Sequence, residues 1–171
     1  MPRLLDVYDD GEWVALVYEE VGGRHPAVPW KSDEVERVAG AVDDLGAALR
    51  PSPWPDAPGF ADANSTFLGV WRELAAAPPP DLDPWLRRRL DRLAAQETDV
   101  AELVRGDALV QTDIRSDNLL LTPDRGVVFL DWAWTCNGAP WLDLVRAGRR
   151  VHLAVRRRDR ALRHENEPAG D

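Results

Sequence analysis

Thr112-Asp113-Ile114-Arg115-Ser116-Asp117-Asn118 and Phe129-Leu130-Asp131-Trp132 are the two stretches whose joint reading decides the fold. The first sets an aspartate five residues before an asparagine, and the second closes an apolar run with another aspartate thirteen residues after that asparagine. Between them, Leu119-Leu120-Leu121-Thr122-Pro123-Asp124-Arg125-Gly126-Val127-Val128-Phe129-Leu130 reads as strand, tight turn and strand. A hairpin there turns the chain back on itself, so Asn118 and Asp131 are expected side by side, with Asp113 facing the same small space. Two hard oxygen ligands for a divalent cation, plus a carboxylate that can take a proton, are what phosphoryl transfer asks of a protein.

Taken singly, each of these residues has a plain structural reading. Asp113 reads as a loop aspartate capping nearby amides, Asn118 as a turn asparagine and Asp131 as a strand-end residue satisfied by backbone. Together and at this spacing they read as a site. Asp113 then orients a substrate hydroxyl and accepts its proton, while the Asn118 amide oxygen and the Asp131 carboxylate hold Mg²⁺. Asp143, twelve residues beyond Asp131, falls in the first turn of a last helix and is expected to stabilise that helix start and brace the loop. Arg115, Asp117 and Asp124 read as surface or loop-bracing residues. His25, His152 and His164 share no metal-ligand spacing, which disfavours zinc. Cys136, the one cysteine, reads as a small buried residue.

The bulk composition sets the frame. The chain has 171 residues, enough for one domain with a sizeable core or one large lobe of a bigger molecule. Its 44% hydrophobic and 30% charged content is that of an ordinary globular protein, and a lone cysteine cannot form an internal disulfide and suits a reducing compartment. No stretch is long and apolar enough to suggest a membrane span, and no signal peptide is recognisable, so the expected location is cytoplasmic. The net charge of −9 is uneven: 13 basic against 26 acidic residues up to Val145, then 8 against 4 from Arg146 onward. An acidic body repels phosphate backbones and argues against nucleic acid as a partner. The Arg156-Arg157-Arg158 cluster reads as a solvated helix face.

Along the chain, Leu4 to Tyr8 and Trp13 to Tyr18 form an expected hairpin around Asp9-Asp10-Gly11. Ser32 is an expected N-cap, followed by Val35, Val38, Ala39, Val42, Leu45 and Leu49 at helical spacing. After a proline-rich irregular stretch come a short helix with Phe67, Val70, Trp71 and Leu74 on one face, and a stop at Pro78-Pro79-Pro80. Asp83-Pro84 opens a helix with Trp85, Leu86, Leu90 and Leu93 inward, and Val100 to Val104 reads as a separate helical piece. Strands separated by a long helical body indicate an α+β class, with a frayed polar end from Glu165.

These residues resemble the aminoglycoside phosphotransferase and choline kinase group, which has the protein-kinase-like fold. That group's loop runs His-Gly-Asp, four residues, Asn; Gln111 to Asn118 matches it at Asp113 and Asn118, with Gln111 and Thr112 in place of His and Gly. Its second signature, Asp-Trp followed by Gly-x-Pro-x-x-Asp-Leu, is similar to Asp131-Trp132 and Gly138-Ala139-Pro140-Trp141-Leu142-Asp143-Leu144. The resemblance implies a mostly helical C-terminal lobe with an N-terminal β-hairpin remnant of the small lobe. Residues 1–24 would be that remnant and hinge, and 25–171 a helical catalytic lobe cut short at its C-terminus. It implies ATP or GTP with Mg²⁺, held through the Glu20 and Val21 backbone, and transfer of the terminal phosphate to a small-molecule hydroxyl, with Gln111 and Asp143 as structural supports.

The group's phosphate-covering loop and strand lysine have no counterpart here, because Lys31, the sole lysine, lies after the hinge segment at a helix start. N-terminal truncation is therefore the expectation, with impaired turnover by the chain alone and self-association through the exposed small-lobe face. Two alternatives stay open: a non-catalytic remnant that binds nucleotide or protein, and a metal-dependent hydrolase using the same carboxylates.

Overall fold

A two-stranded antiparallel ribbon opens the chain. Leu4–Asp9 (β1) pairs with Val14–Tyr18 (β2), with Val7 opposite Leu16 and a register shift between Leu4 and Asp6. The turn is built by its own acids. Asp9 Oδ1 accepts from the Gly11 amide, Asp10 Oδ1 from the amides of Glu12 and Trp13, and Gly11 takes φ +85° at no steric cost. Both faces of the ribbon are exposed, including Leu5, Val7, Trp13, Val14 and Val17. The computed structural model describes residues 1–148; the Arg156–Arg158 cluster, His152, His164 and the polar end from Glu165 lie outside the described residues.

The chain divides into two compact units. The first comprises Met1–Leu45, Thr112–Trp134 and the segment from Asp143; the second comprises Gly46–Gln111 and Thr135–Leu142. In the first unit the helix Ser32–Ala48 (α1) turns Val38 and Val42 onto Ile114, Leu119, Leu121 and Phe129. The last three lie on or beside the hairpin of Leu119–Leu121 (β4) and Val127–Phe129 (β5), whose register sets Leu119 opposite Phe129. Burying a Val or Leu side chain contributes about 1.5–3 kcal/mol, so this small cluster is what fixes the hairpin against the helix.

The start of α1 differs from the expected Ser32 cap. Lys31 C=O accepts from Val35, which makes Ser32 the first helical residue. The acceptor that closes this end is Glu34, fully buried, whose carboxylate receives the amides of Ala27 and Lys31 and the Arg24 guanidinium. Its reach back to Lys31 is the return arm of a capping box. The segment before α1 is fastened to β4 as well. Arg24 and Leu121 exchange both main-chain hydrogen bonds, and His25 Nδ1 lies 2.8 Å from Leu119 O. Gly23 is needed for that approach, since a Cβ there would meet Leu121 O at 3.0 Å and Thr122 Cγ2 at 3.1 Å.

The second unit is mostly helical: Phe60–Ala63 (α2), Val70–Ala76 (α3), Pro84–Arg87 (α4) and Leu90–Leu103 (α5). Asp83 caps α4 by accepting from Trp85 and Leu86, with Pro84 at the first helical position, as its sequence suggests. The expected break before Val100 is absent. α5 runs straight through it, and the chain kinks earlier, at Arg88 and Arg89, where the Arg89 guanidinium stacks 4.1 Å over the exposed Trp85 ring. Phe67 is exposed and precedes α3, because Asn64 C=O accepts from Phe67 and Leu68 and holds them in a turn.

A pairing that the sequence does not announce completes the unit. Ala108–Val110 (β3) runs antiparallel to Cys136–Gly138 (β6). Three-residue strands carry too little periodicity to read, and here β3 is wholly buried. Cys136 packs in a second core with Phe60, Val104, Val110, Ala139 and Leu142. Residues 142–148 are helical. No helix among the described residues is long and apolar enough to cross a membrane.

Candidate active site

The loop that follows β3 begins with a strained residue. Thr112 takes φ +66°, a region that costs a β-branched side chain about 1–2 kcal/mol or more. Two bonds hold it there: its N–H donates to Asp143 Oδ1 at 2.8 Å, and its hydroxyl donates to Trp134 C=O at 2.9 Å. Asp143 is itself buried near the start of the helical residues 142–148. Gln111, at the end of the other unit's segment, is fully buried. Ile114 then drops into the core beside Val38 and Leu119, which pins the loop one residue past Asp113.

A single 3₁₀ turn, Ser116–Asn118, brings the chain back on Asp113. Asn118 Nδ2 donates to Asp113 Oδ2 at 3.0 Å and to Asp113 C=O at 3.1 Å. The same residue's C=O accepts from Leu130 at 2.9 Å, one residue before Asp131. Asp131 takes φ +53°, and its Oδ1 lies 3.4 Å from the Ala133 amide; the Trp132 indole N–H donates to Phe129 C=O at 3.2 Å. The hairpin thus brings Asn118 beside the Leu130–Asp131 corner, and Asn118 touches Asp113 directly. Asx residues tolerate the left-handed region better than most, which is a local reason for Asp at the corner.

Arg115 and Asp117 brace the loop, as their sequence reading expects. Arg115 Nε donates to Asp117 Oδ1 at 2.6 Å and its Nη2 to Asp117 Oδ2, a two-point fork, while Nη1 stands 3.7 Å from Asp113 Oδ2. Its pKa is pushed further up, first by the Asp117 hydrogen bond and charge, and also by the charges of Asp113 and Asp131. The same pair holds the Asp117 carboxyl below its usual range, chiefly through the Arg115 hydrogen bond.

The oxygen donors suit a hard cation. With Asn118 Nδ2 committed to Asp113, the atom that Asn118 has left to offer is Oδ1, and Asp131 adds a carboxylate. Glu20 and Val21 lie in the loop between β2 and Arg24, and among the described residues their main-chain groups take no hydrogen bond. A separate cleft of about 620 Å³, lined by Gly22, Gly23, Arg24, Arg37, Thr122 and Asp124, does not include Asp113, Asn118 or Asp131.

The family model of the phosphotransferase enzyme family, APH, matches residues 1–169. The chain therefore belongs to that family, the aminoglycoside phosphotransferase and choline kinase-like group. No curated protein matches the chain. Its mixed α/β architecture, a small β-hairpin followed by helices, is of the kind that this family's kinase-like fold implies.

Proposed function

We propose that this chain is a kinase-type phosphotransferase lobe that moves the terminal phosphate of ATP (or GTP) to the hydroxyl of a small molecule. The acceptor oxygen bonds to the terminal phosphorus, its proton passes to the Asp113 carboxylate, and the bond to the bridging oxygen breaks to release the nucleoside diphosphate. Asn118 Oδ1 and Asp131 are the groups that would hold Mg²⁺, whose charge offsets that of the phosphates. Glu20 and Val21 offer main-chain atoms to the base. Gln111 and Asp143 act as supports, Asp143 through the Thr112 amide.

Residues 1–24 serve in this reading as small-lobe ribbon and hinge, and 25–171 as the catalytic lobe. The setting is cytoplasmic, and the exposed ribbon favours association with a second copy. An aminoglycoside-like acceptor suits the acidic surface. The observation that carries the reading is the contact of Asn118 Nδ2 with Asp113 Oδ2, which ties the proton acceptor to a metal-ligand candidate in one loop.

A second reading, a non-catalytic nucleotide- or protein-binding member of the fold, is favoured by Thr112, a strained residue where the motif has glycine. Asp113→Asn separates the two. Under the first reading, phosphate transfer to an acceptor panel falls by about 10²–10⁴ with nucleotide affinity kept. Under the second, wild type and variant are equally inert.

A further inference from the structure

The geometry around Asp113 assigns Arg115 a ligand: we infer that its guanidinium binds the terminal phosphate of the nucleotide, the group being transferred. This rests on the phosphotransferase reading and adds a residue to it.

Three features of the guanidinium support the assignment. First, it is anchored. The fork onto Asp117 fixes the plane through Nε and Nη2, so little side-chain freedom remains to be lost when a ligand arrives. Second, it is unspent on the side that matters. Nη1 is 3.7 Å from Asp113 Oδ2, an ion-pair distance but too long for a hydrogen bond, and none of its hydrogens is engaged among the described residues. An anionic oxygen placed there would lie on the same side as the carboxylate that takes the acceptor's proton. Third, it is reachable, because the Arg115 side chain is 45% exposed while the Asp113 side chain is 16% exposed.

Electrostatics select the ligand. Arg115 stands among three carboxylates, Asp113, Asp117 and Asp131, whose charges all favour its protonated form. A cation held beside the proton-accepting carboxylate offsets charge where the transferred group passes between donor and acceptor. A planar guanidinium with free N–H groups matches two oxygens of a phosphoryl group. A nucleoside diphosphate, which ends one phosphate short, has no group to reach it. The signature is therefore discrimination between tri- and diphosphate, more than affinity as such.

Calorimetric titration of the full chain with Mg·ATP and Mg·ADP, for wild type, Arg115→Lys and Arg115→Gln, tests this. The expected result is that Arg115→Gln loses about tenfold or more in Mg·ATP affinity while Mg·ADP affinity is unchanged, with Arg115→Lys between. Equal losses for both nucleotides would show that Arg115 only braces the loop through Asp117, and would overturn the assignment. Unchanged affinity for both would overturn it as well. A wild-type chain that binds neither nucleotide would sink the phosphotransferase reading and this inference with it, an outcome distinct from either of the others.

Discussion

Thr112 shows most sharply how one residue shapes the loop. Its left-handed backbone is held by Asp143 and by the Trp134 carbonyl, so the strain has visible compensation. Thr112→Ala keeps the strain and loses the hydroxyl bond, whereas Thr112→Gly loses the bond and removes the strain. Glycine is therefore expected to be more stable than alanine here by about 1 kcal/mol, the reverse of the ordinary order, as urea melts of the two variants would show. The chemistry-bearing residues were legible in their placement from spacing: Asn118 lies against Asp113 and beside the Leu130–Asp131 corner because a short hairpin leaves the chain few places to go. Thr112 and Arg115 were not, because a positive φ and an unspent N–H are properties of three-dimensional surroundings that a residue's name does not reveal.

Two glutamates make helix starts where the sequence offers no good local cap. Glu34 serves α1 from within the helix, and Glu97, on α5, accepts from the amides of Trp71 and Arg72 and so caps α3 from another element. Glu97→Ala leaves those amides without their acceptor and should cost about 1–2 kcal/mol in a chemical melt, while losing little helix propensity of its own. Scanning for Ser, Thr, Asp or Asn before an apolar run finds neither cap: at α1 the acceptor lies inside the helix, past Ser32, and at α3 it comes from another element.

For Glu34, burial works to raise the pKa, but the Ala27 amide, the Arg24 guanidinium and the Lys31 amide prevail and hold it below the usual glutamate range. A depressed folded-state pKa means that the unfolded chain binds the proton more readily. Its stabilisation is thus present above the unfolded pKa and is lost as pH falls through the folded one. Melts taken downward from neutral pH should show a steeper acid limb in wild type than in Glu34→Gln. Equal limbs would mean that Glu34 is not held in this way. Long elements with clear periodicity, the ribbon, α1 and the β4–β5 hairpin, were readable for the opposite reason, while the three-residue pair β3 and β6 was not.

At the scale of the whole molecule, the ribbon of β1 and β2 stands out because every one of its residues is exposed. An isolated two-stranded ribbon is marginal in water, and Val7, Val14, Leu16 and Tyr18 lie on one exposed face. Sedimentation velocity over a concentration series should therefore show self-association, and the pair Val7→Lys with Leu16→Lys should reduce it without changing the Asp113 loop. A single concentration-independent species would remove the second copy from the account.

The central claim is that Asp113, Asn118 and Asp131 form one metal–nucleotide site, and its most direct test is calorimetric titration of the chain with ATP, with and without Mg²⁺, beside Asp131→Ala. Binding that requires Mg²⁺ in the wild type and is lost in the variant is the expected result. A well-folded wild type that binds no ATP, or a variant that binds Mg·ATP as well as wild type does, would contradict it.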